Sequence, residues 1–497
     1  MSILDLNKRE TFTEWLKRVV LIEKLNNPLG YVLCVFIAIM FTLITTQLGL
    51  VIGVGLLGVI IGIPMVLLCI FNLPFGMIVM LSSGVLISLA AKYTGAPIGT
   101  ALDGLLFAMG FGVIVKLSRD REFGFLKHPI SVLILVWIYY NILQLLNPVA
   151  GSRMAWIYTV RTMALMLMLY YIACYAFKDL KTIKLILKAI LFWAFASALY
   201  AMKQEFIGFS DAELQWLYAD EKRFQLIVQW DRMRVFSFFS DPTTFGILMG
   251  YMGVMCMAFL IGPYKKWQKA LLGLGALMMM MAMAFAGSRT PFVLVPIGLL
   301  FFALLTLNRK TMIITSVLLV LGTGMMMKST SNAIVWRIQS AFRPSEDASV
   351  QVRLDNQALI QPYIQSHPIG AGLGSTGMWG ARFTPDSWLA SFAHDSLYVR
   401  IAVEAGYIGL IIYMVMLFIA LKTGIYYYFR CRDPEIKNMY LGITCAVFIL
   451  VVASYPQEAI TLLPTSIIFY LMLAMLVRLK DFDTIPEEKL DAINDPS

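Results

Sequence analysis

Fourteen apolar runs, most of them about twenty residues long, fill this 497-residue chain. They lie roughly at 30–48, 50–70, 74–92, 97–116, 129–147, 158–177, 184–203, 243–262, 270–287, 291–307, 311–328, 398–421, 439–455 and 460–477. A helix of about 20 apolar residues crosses the hydrocarbon core of a bilayer. In lipid every backbone N–H and C=O must be satisfied internally, so only helices and closed barrels span it. Continuous rather than alternating hydrophobicity selects the helix. Charged residues make up only 14% of the chain, against about 25% in soluble domains, which excludes a soluble enzyme and a disordered chain. The expected fold is all-α: a polytopic membrane helix bundle of about 12–14 transmembrane helices with two large, partly helical outer loops.

The segments between the runs divide the chain. Residues 1–28 are a cytoplasmic leader, too polar for a signal peptide, with Lys8, Arg9, Lys17, Arg18 and Lys24 spread through it. Trp15, Leu16, Val19 and Val20 alternate with its charges at helical spacing. That fits an interfacial amphipathic helix or a solvated leader. N-terminal helices occupy 29–203, a first outer loop 204–242, central helices 243–328, a large outer loop 329–397, C-terminal helices 398–478, and a cytoplasmic tail 479–497. Loops as long as these two are uncommon in a compact bundle without structure or function of their own. Both hold helix-like stretches, Leu214 to Val228 and Val350 to Ile364.

The net charge of +10 is sorted by side. With both termini in the cytoplasm, 25 of the 40 Lys and Arg fall in cytoplasmic segments, as the positive-inside rule requires. The surplus therefore reads as topology, and no nucleic-acid partner is expected. Five of the six cysteines lie in apolar runs and Cys431 in a short basic loop, which suggests neither a disulfide framework nor metal-ligand spacing. No metal and no cofactor is expected.

Candidate chemistry concentrates in the outer segments. His394, in Phe392-Ala393-His394-Asp395-Ser396-Leu397-Tyr398, stands just before a span. It reads either as a polar residue at a helix start that Asp395 or Ser396 caps, or as a general base. Arg289 marks the tight turn Gly287-Ser288-Arg289-Thr290-Pro291 between two spans. There it either snorkels to head groups or holds an anion, since a guanidinium matches diphosphate oxygens bidentately. Arg232 and Arg234 precede the aromatic run Val235 to Pro242. Arg161 lies in the outer part of a span and Arg153 just before it, and Asp103 lies within the fourth span, where a buried partner for a neighbouring helix is the preferred reading. His128, before Pro129, reads as structural. The Gly-rich stretch His367 to Gly377 lacks the Lys of a P-loop and a preceding strand. It is either a loop whose amides approach a ligand, with Gly372 and Gly374 at its centre, or a flexible linker.

Taken in order, these parts resemble one family. Arg353, His367-Pro368-Ile369-Gly370, Gly372-Leu373-Gly374, His394, Leu397, Glu404, Gly406 and Gly409-Leu410 are similar to the pattern of bacterial O-antigen ligases and polymerases. The Ser288-Arg289 turn and the run from Arg234 to Pro242 resemble the same family's upstream segments. Asp395 stands where the family more often has Asn or Ser, and fourteen spans exceed its usual twelve or so. The resemblance implies a glycosyltransferase of the bacterial inner membrane that works on the outer face without a metal. Its donor would be a glycan on undecaprenyl diphosphate, and its acceptor a glycan or lipid A-core type hydroxyl. His394 would be the base and Arg289 with Arg234 the diphosphate clamp. Arg353, Arg400 and Arg232 would contact phosphate or sugar, and Trp379 and Trp388 would stack on sugar faces or pack on lipid. A ligase is the first reading, a polymerase of the same family the second. A lipid-linked sugar transporter is the third, disfavoured because only Asp103 among the ionisable residues lies deep.

Overall fold

The computed structural model describes residues 27–483, apart from 49, 95–98, 230–231, 328–338 and 340–347. The amphipathic stretch of the leader and the tail from 484 on lie outside the described residues. The chain divides into two compact units, 1–76 and 77–497. In the first, α1 (Pro28–Leu48) packs against α2 (Leu50–Phe71).

The second unit begins within α3 (Leu73–Thr94) and continues with α4 (Gly99–Asp120), α5 (Pro129–Leu143), α6 (Arg153–Met163), α7 (Met168–Ala176) and α8 (Leu180–Phe206). Two short helices, α9 (Asp211–Tyr218) and α10 (Glu221–Ile227), and a hairpin of Val228–Gln229 with Arg232–Met233 form the first loop. There follow α11 (Pro242–Phe259), α12 (Lys266–Ala286), α13 (Arg289–Thr306) and α14 (Arg309–Met327). The second loop holds α15 (Ala348–Ser366) and α16 (Gly377–Phe383). The chain closes with α17 (Leu397–Glu404), α18 (Gly406–Arg430), α19 (Pro434–Ala453) and α20 (Thr465–Arg478). Among the described residues ten helices are long and apolar enough to cross a membrane. The protein is an all-α, multi-pass membrane helix bundle.

Every one of the fourteen apolar runs is helical over most of its length, but three differ in detail. The sixth is broken by a 3-10 turn at Leu165–Leu167. The twelfth does not run from 398. Its helix stops at Glu404 and restarts at Gly406, so the crossing segment is Gly406–Arg430. The last begins only at Thr465, after a loop that carries Pro456 and Pro464.

Two helices make the centre. In α20 every residue from Thr465 to Val477 is buried, and α11 is buried nearly throughout; a helix apolar on all sides belongs inside a bundle. Gly246 and Gly250 of α11 let it approach α13, with Pro291 and Val295 against their bare faces. Small residues allow such close backbone approach where no hydrophobic effect drives helices together in lipid.

Helix alternation places the connections at two ends. At one end Gln144 Nε2 donates to Ile369 O at 2.9 Å, Arg234 Nε to Ala286 O at 2.9 Å, and Leu397 N to Ser454 O at 3.1 Å. At the other end Tyr175 donates to Asp120 at 2.6 Å, Lys184 pairs with Glu435 at 2.7 Å, and Arg478 Nη2 donates to Phe177 O at 3.1 Å. Both long loops thus share an end with the 287–288 turn and the 454–464 loop, as the alternating pattern predicts.

The break after α17 is built from glycine. Gly406 has φ +73 and Gly370, against it, has φ +76. A Cβ on Gly370 would lie 2.6 Å from the Glu404 carbonyl, and one on Gly406 would overlap Pro368 O. Left-handed backbone costs an L-residue about 1–2 kcal/mol and overpacking typically about 1–3 kcal/mol more. Gly406→Ala is therefore expected to shorten the thermal half-life in detergent markedly, whereas Gly208→Ala, also at positive φ but in open space, loses only the backbone share. Equal effects would show that the close approach at Gly406 contributes nothing.

Candidate functional site

The site grows from the contact between the second loop and α17. Ala371 N donates to Val403 O at 2.8 Å and Gly372 N to Glu404 O at 3.0 Å, so the Gly-rich stretch is sewn to the end of α17. A Cβ on Gly372 would meet Ala150, and one on Gly374 would lie 2.7 Å from Ala155 O. Gly372 and Gly374, read from sequence as a ligand-approaching loop or a flexible linker, are thus packed against the neighbouring segment of the chain. The Gly372 amide is already spent on a carbonyl, and both glycines serve to seat the loop against the start of α6. Beneath them Ile360, Ala371, Leu389, Phe392 and Val403 form a small core of their own. It gives α15 and the loop a fixed position over the bundle.

His394 leaves this core in the extended segment before α17. Ser396 is the cap, accepting from Val399 N at 3.4 Å. His394 has no capping task and turns inward, its side chain 11% exposed, with Gly377 against its Cε1 edge. Its Nε2 lies 2.7 Å from Oε1 of Glu458, in the loop between α19 and α20. Oε2 of Glu458 takes Nη1 of Arg400 at 2.6 Å. Arg400 also pairs with Glu404 at 3.4 Å, an ion pair rather than an aligned hydrogen bond, and Thr376 Oγ1 donates to Glu404 at 2.8 Å. Glu404 is 1% exposed. Five side chains from three segments are therefore one polar chain, and a buried polar chain of this kind stands only where its charges are paired.

Its electrostatics fix a proton. Burial alone pushes the Glu458 carboxyl up, but the Arg400 guanidinium and the His394 hydrogen bond outweigh it and hold it down to about 2. Glu458 is thus a carboxylate at neutral pH and can only accept. The hydrogen between the pair belongs to Nε2 of His394, so it is Nδ1 that is left to exchange a proton. Nδ1 is buried and has no partner among the described residues. Ser375 Oγ and Thr159 Oγ1 are buried without a hydrogen bond as well. Unpaired buried polar atoms are costly, so each of these three calls for a partner such as an ordered water or a bound polar group.

The arginines fall at differing distances from this pair. Arg353, on α15, reaches Asp395 at 3.3 Å and lines a small recess with Asn356, Phe392 and His394. Arg400 is in the chain itself. Arg289 is the first residue of α13, half-buried, beside Ser288 and Pro291 that pack on Gly246 of α11. Arg234 is 4% exposed, and its guanidinium donates to Ala286 O at 2.9 Å, Leu226 O at 3.2 Å and Thr243 Oγ1 at 3.5 Å. That burial corrects the reading of Arg234 as an open clamp: it ties the first loop to the 286–289 turn and to the start of α11. Thr243 and Thr244 there share a small cavity with Gln457 and Glu458. Arg232 is held by Glu205 away from this cavity's lining.

Other candidates resolve into structure. Asp103 pairs with Arg161 of a neighbouring helix at 3.1 Å, and both side chains are half-buried. His128 caps α5, its Nδ1 accepting from Ile130 N at 3.3 Å, and His367 stacks on Tyr363 at 4.0 Å. Trp379 stacks on Tyr158 at 4.5 Å, while Trp388 stays 48% exposed. Glu458 is the residue that reading the sequence missed. Its signal was present: it is the only acid between Glu435 and Asp481, in a loop with two prolines. Among the described residues no group of three His, Cys, Asp or Glu is placed to share a metal ion. No family model matches the chain, and no curated protein matches it.

Proposed function

We propose that the protein is a glycosyltransferase of the O-antigen ligase type. It would move a glycan from an undecaprenyl-diphosphate carrier to an acceptor hydroxyl at the outer face of the bacterial inner membrane. The observation that carries this reading is the His394–Glu458 pair, 2.7 Å apart, with an Nδ1 that has no partner among the described residues. The acceptor O–H gives its proton to Nδ1 as its oxygen bonds to the anomeric carbon. The bond from that carbon to the diphosphate breaks, and the diphosphate leaves with the electron pair. Glu458 holds the ring and stabilises the imidazolium, as a carboxylate does in a triad. The ordered resemblance from Arg234 to Leu410 supports the substrate class. The orientation is supported by the 25 basic residues of the segments assigned to the opposite side.

Arg289 is the proposed contact for the leaving diphosphate, at a helix N-terminus where the helix dipole also favours an anion. Arg234 then positions rather than touches: it holds the turn that carries Arg289. Fixed charges aimed at a developing anion are worth roughly 10²–10³ in rate. Arg289→Ala is expected to lower turnover of the lipid-linked donor by about that factor, with Arg289→Lys recovering only part because the bidentate geometry is lost. A transfer assay with purified protein measures it, and full turnover in the alanine variant removes the clamp.

A further inference from the structure

The end of the bundle opposite His394 holds a cavity of about 1180 Å³ between α5, α7, α18 and α20. Its mouth is basic. Lys127, Lys178, Lys422, Arg478 and Lys480 line it, against Glu122 and Asp481. Lys178 is paired with Asp120 and Glu122, and Arg478 with Asp481. Lys127, Lys422 and Lys480 have no acidic partner among the described residues, so the mouth carries uncompensated positive charge. His128 in the wall feels it: burial first, and Lys480 second, push its imidazole down to about 4. It remains neutral there at physiological pH.

The inner wall is different. Ile419, Lys422, Thr423, Tyr426 and Tyr427 follow one face of α18 at helical spacing, over about 12 Å at 1.5 Å per residue. That face runs from the basic end into membrane depth, ending on Ile419 one turn beyond Lys422, and Phe125 and Val477 also line the cavity. A free phosphate would use the lysines and leave this wall bare. An amphiphile with an anionic head fills both.

We infer that this cavity is a binding site for one anionic phospholipid, its phosphate among Lys127, Lys422 and Lys480 and an acyl chain along the Ile419 face of α18. Basic pockets between helices at the cytoplasmic side recognise lipid head groups in this way. The inference is independent of the chemistry proposed at His394.

The test is native mass spectrometry of the full-length protein in detergent, titrated with phosphatidylglycerol, with phosphatidylcholine and with inorganic phosphate. One phosphatidylglycerol is expected to bind at least about tenfold more tightly than phosphatidylcholine, at roughly fivefold per uncompensated lysine. Lys127→Gln with Lys422→Gln, both at exposed positions, should remove that preference while the melting temperature stays unchanged. If the double variant fails to fold, Lys127→Gln alone, in the loop before α5, should still lower the preference several-fold. Equal affinity for the two lipids, or a preference unaltered in the variants, overturns the site. Displacement of the lipid by millimolar phosphate overturns the lipid assignment, because the apolar wall would then contribute nothing.

Discussion

Replacing His394 by alanine is expected to lower glycan transfer by about 10²–10⁴, the usual contribution of a positioned general base. Two features make the effect large. Among the described residues the neighbouring acids are all engaged: Glu458 and Glu404 pair with Arg400, and Asp395 faces Arg353. The ring is also presented in one tautomer, so its removal takes away both base and geometry. Glu458→Gln tests the second half. An amide can donate as well as accept, so it no longer fixes the proton on Nε2, and turnover should fall by a similar order while donor KM changes little. A structural role for the pair would instead move KM and thermal stability together.

Arg400→Ala is the substitution expected to harm the fold most. It would leave Glu404, 1% exposed, and Glu458 without their shared cation. Removing one partner of a buried ion pair costs about 3–5 kcal/mol, because a charge is left buried and uncompensated. The thermal half-life in detergent should collapse, and Glu404→Gln added to Arg400→Ala should restore part of it. The pH dependence follows with a definite sign. The carboxyl of Glu458 ionises near 4.5 when free and at about 2 in the fold. Its stabilising contribution is therefore complete above about pH 4.5 and disappears as the pH falls toward 2. A half-life that is flat from pH 7 to 5 and shortens below 4.5 agrees, and Glu458→Gln should flatten that acid limb. An unchanged half-life in Arg400→Ala would mean that the two acids are not held by it.

The helices were legible because membrane spanning is written in local composition: twenty apolar residues need no distant partner to be recognised. The place of His394 was legible for a related reason. A histidine, a capping serine and an apolar run adjoin in sequence. Glu458 was not, since its partner lies 64 residues away and only the packing of α19 and α20 brings them together. Arg234 and the glycines show the opposite failure. Their residue types suggested ligand contacts, but burial decides what a guanidinium or an amide binds, and burial is tertiary. The shift of the twelfth span has the same origin. Leu397 to Gly409 is apolar enough to continue as one helix, and only the approach of Gly370 to Gly406 explains the break.

The role of His394 in glycan transfer is tested directly by one measurement. Purified protein and its His394→Ala variant are each given an undecaprenyl-diphosphate-linked glycan and a candidate acceptor, and release of undecaprenyl diphosphate is followed together with the glycan on the acceptor. A general base at His394 predicts both products in equal amounts from the native protein, and at least about a hundredfold less from the variant. Equal release of undecaprenyl diphosphate from both proteins, or glycan transfer that survives the loss of His394, would contradict it.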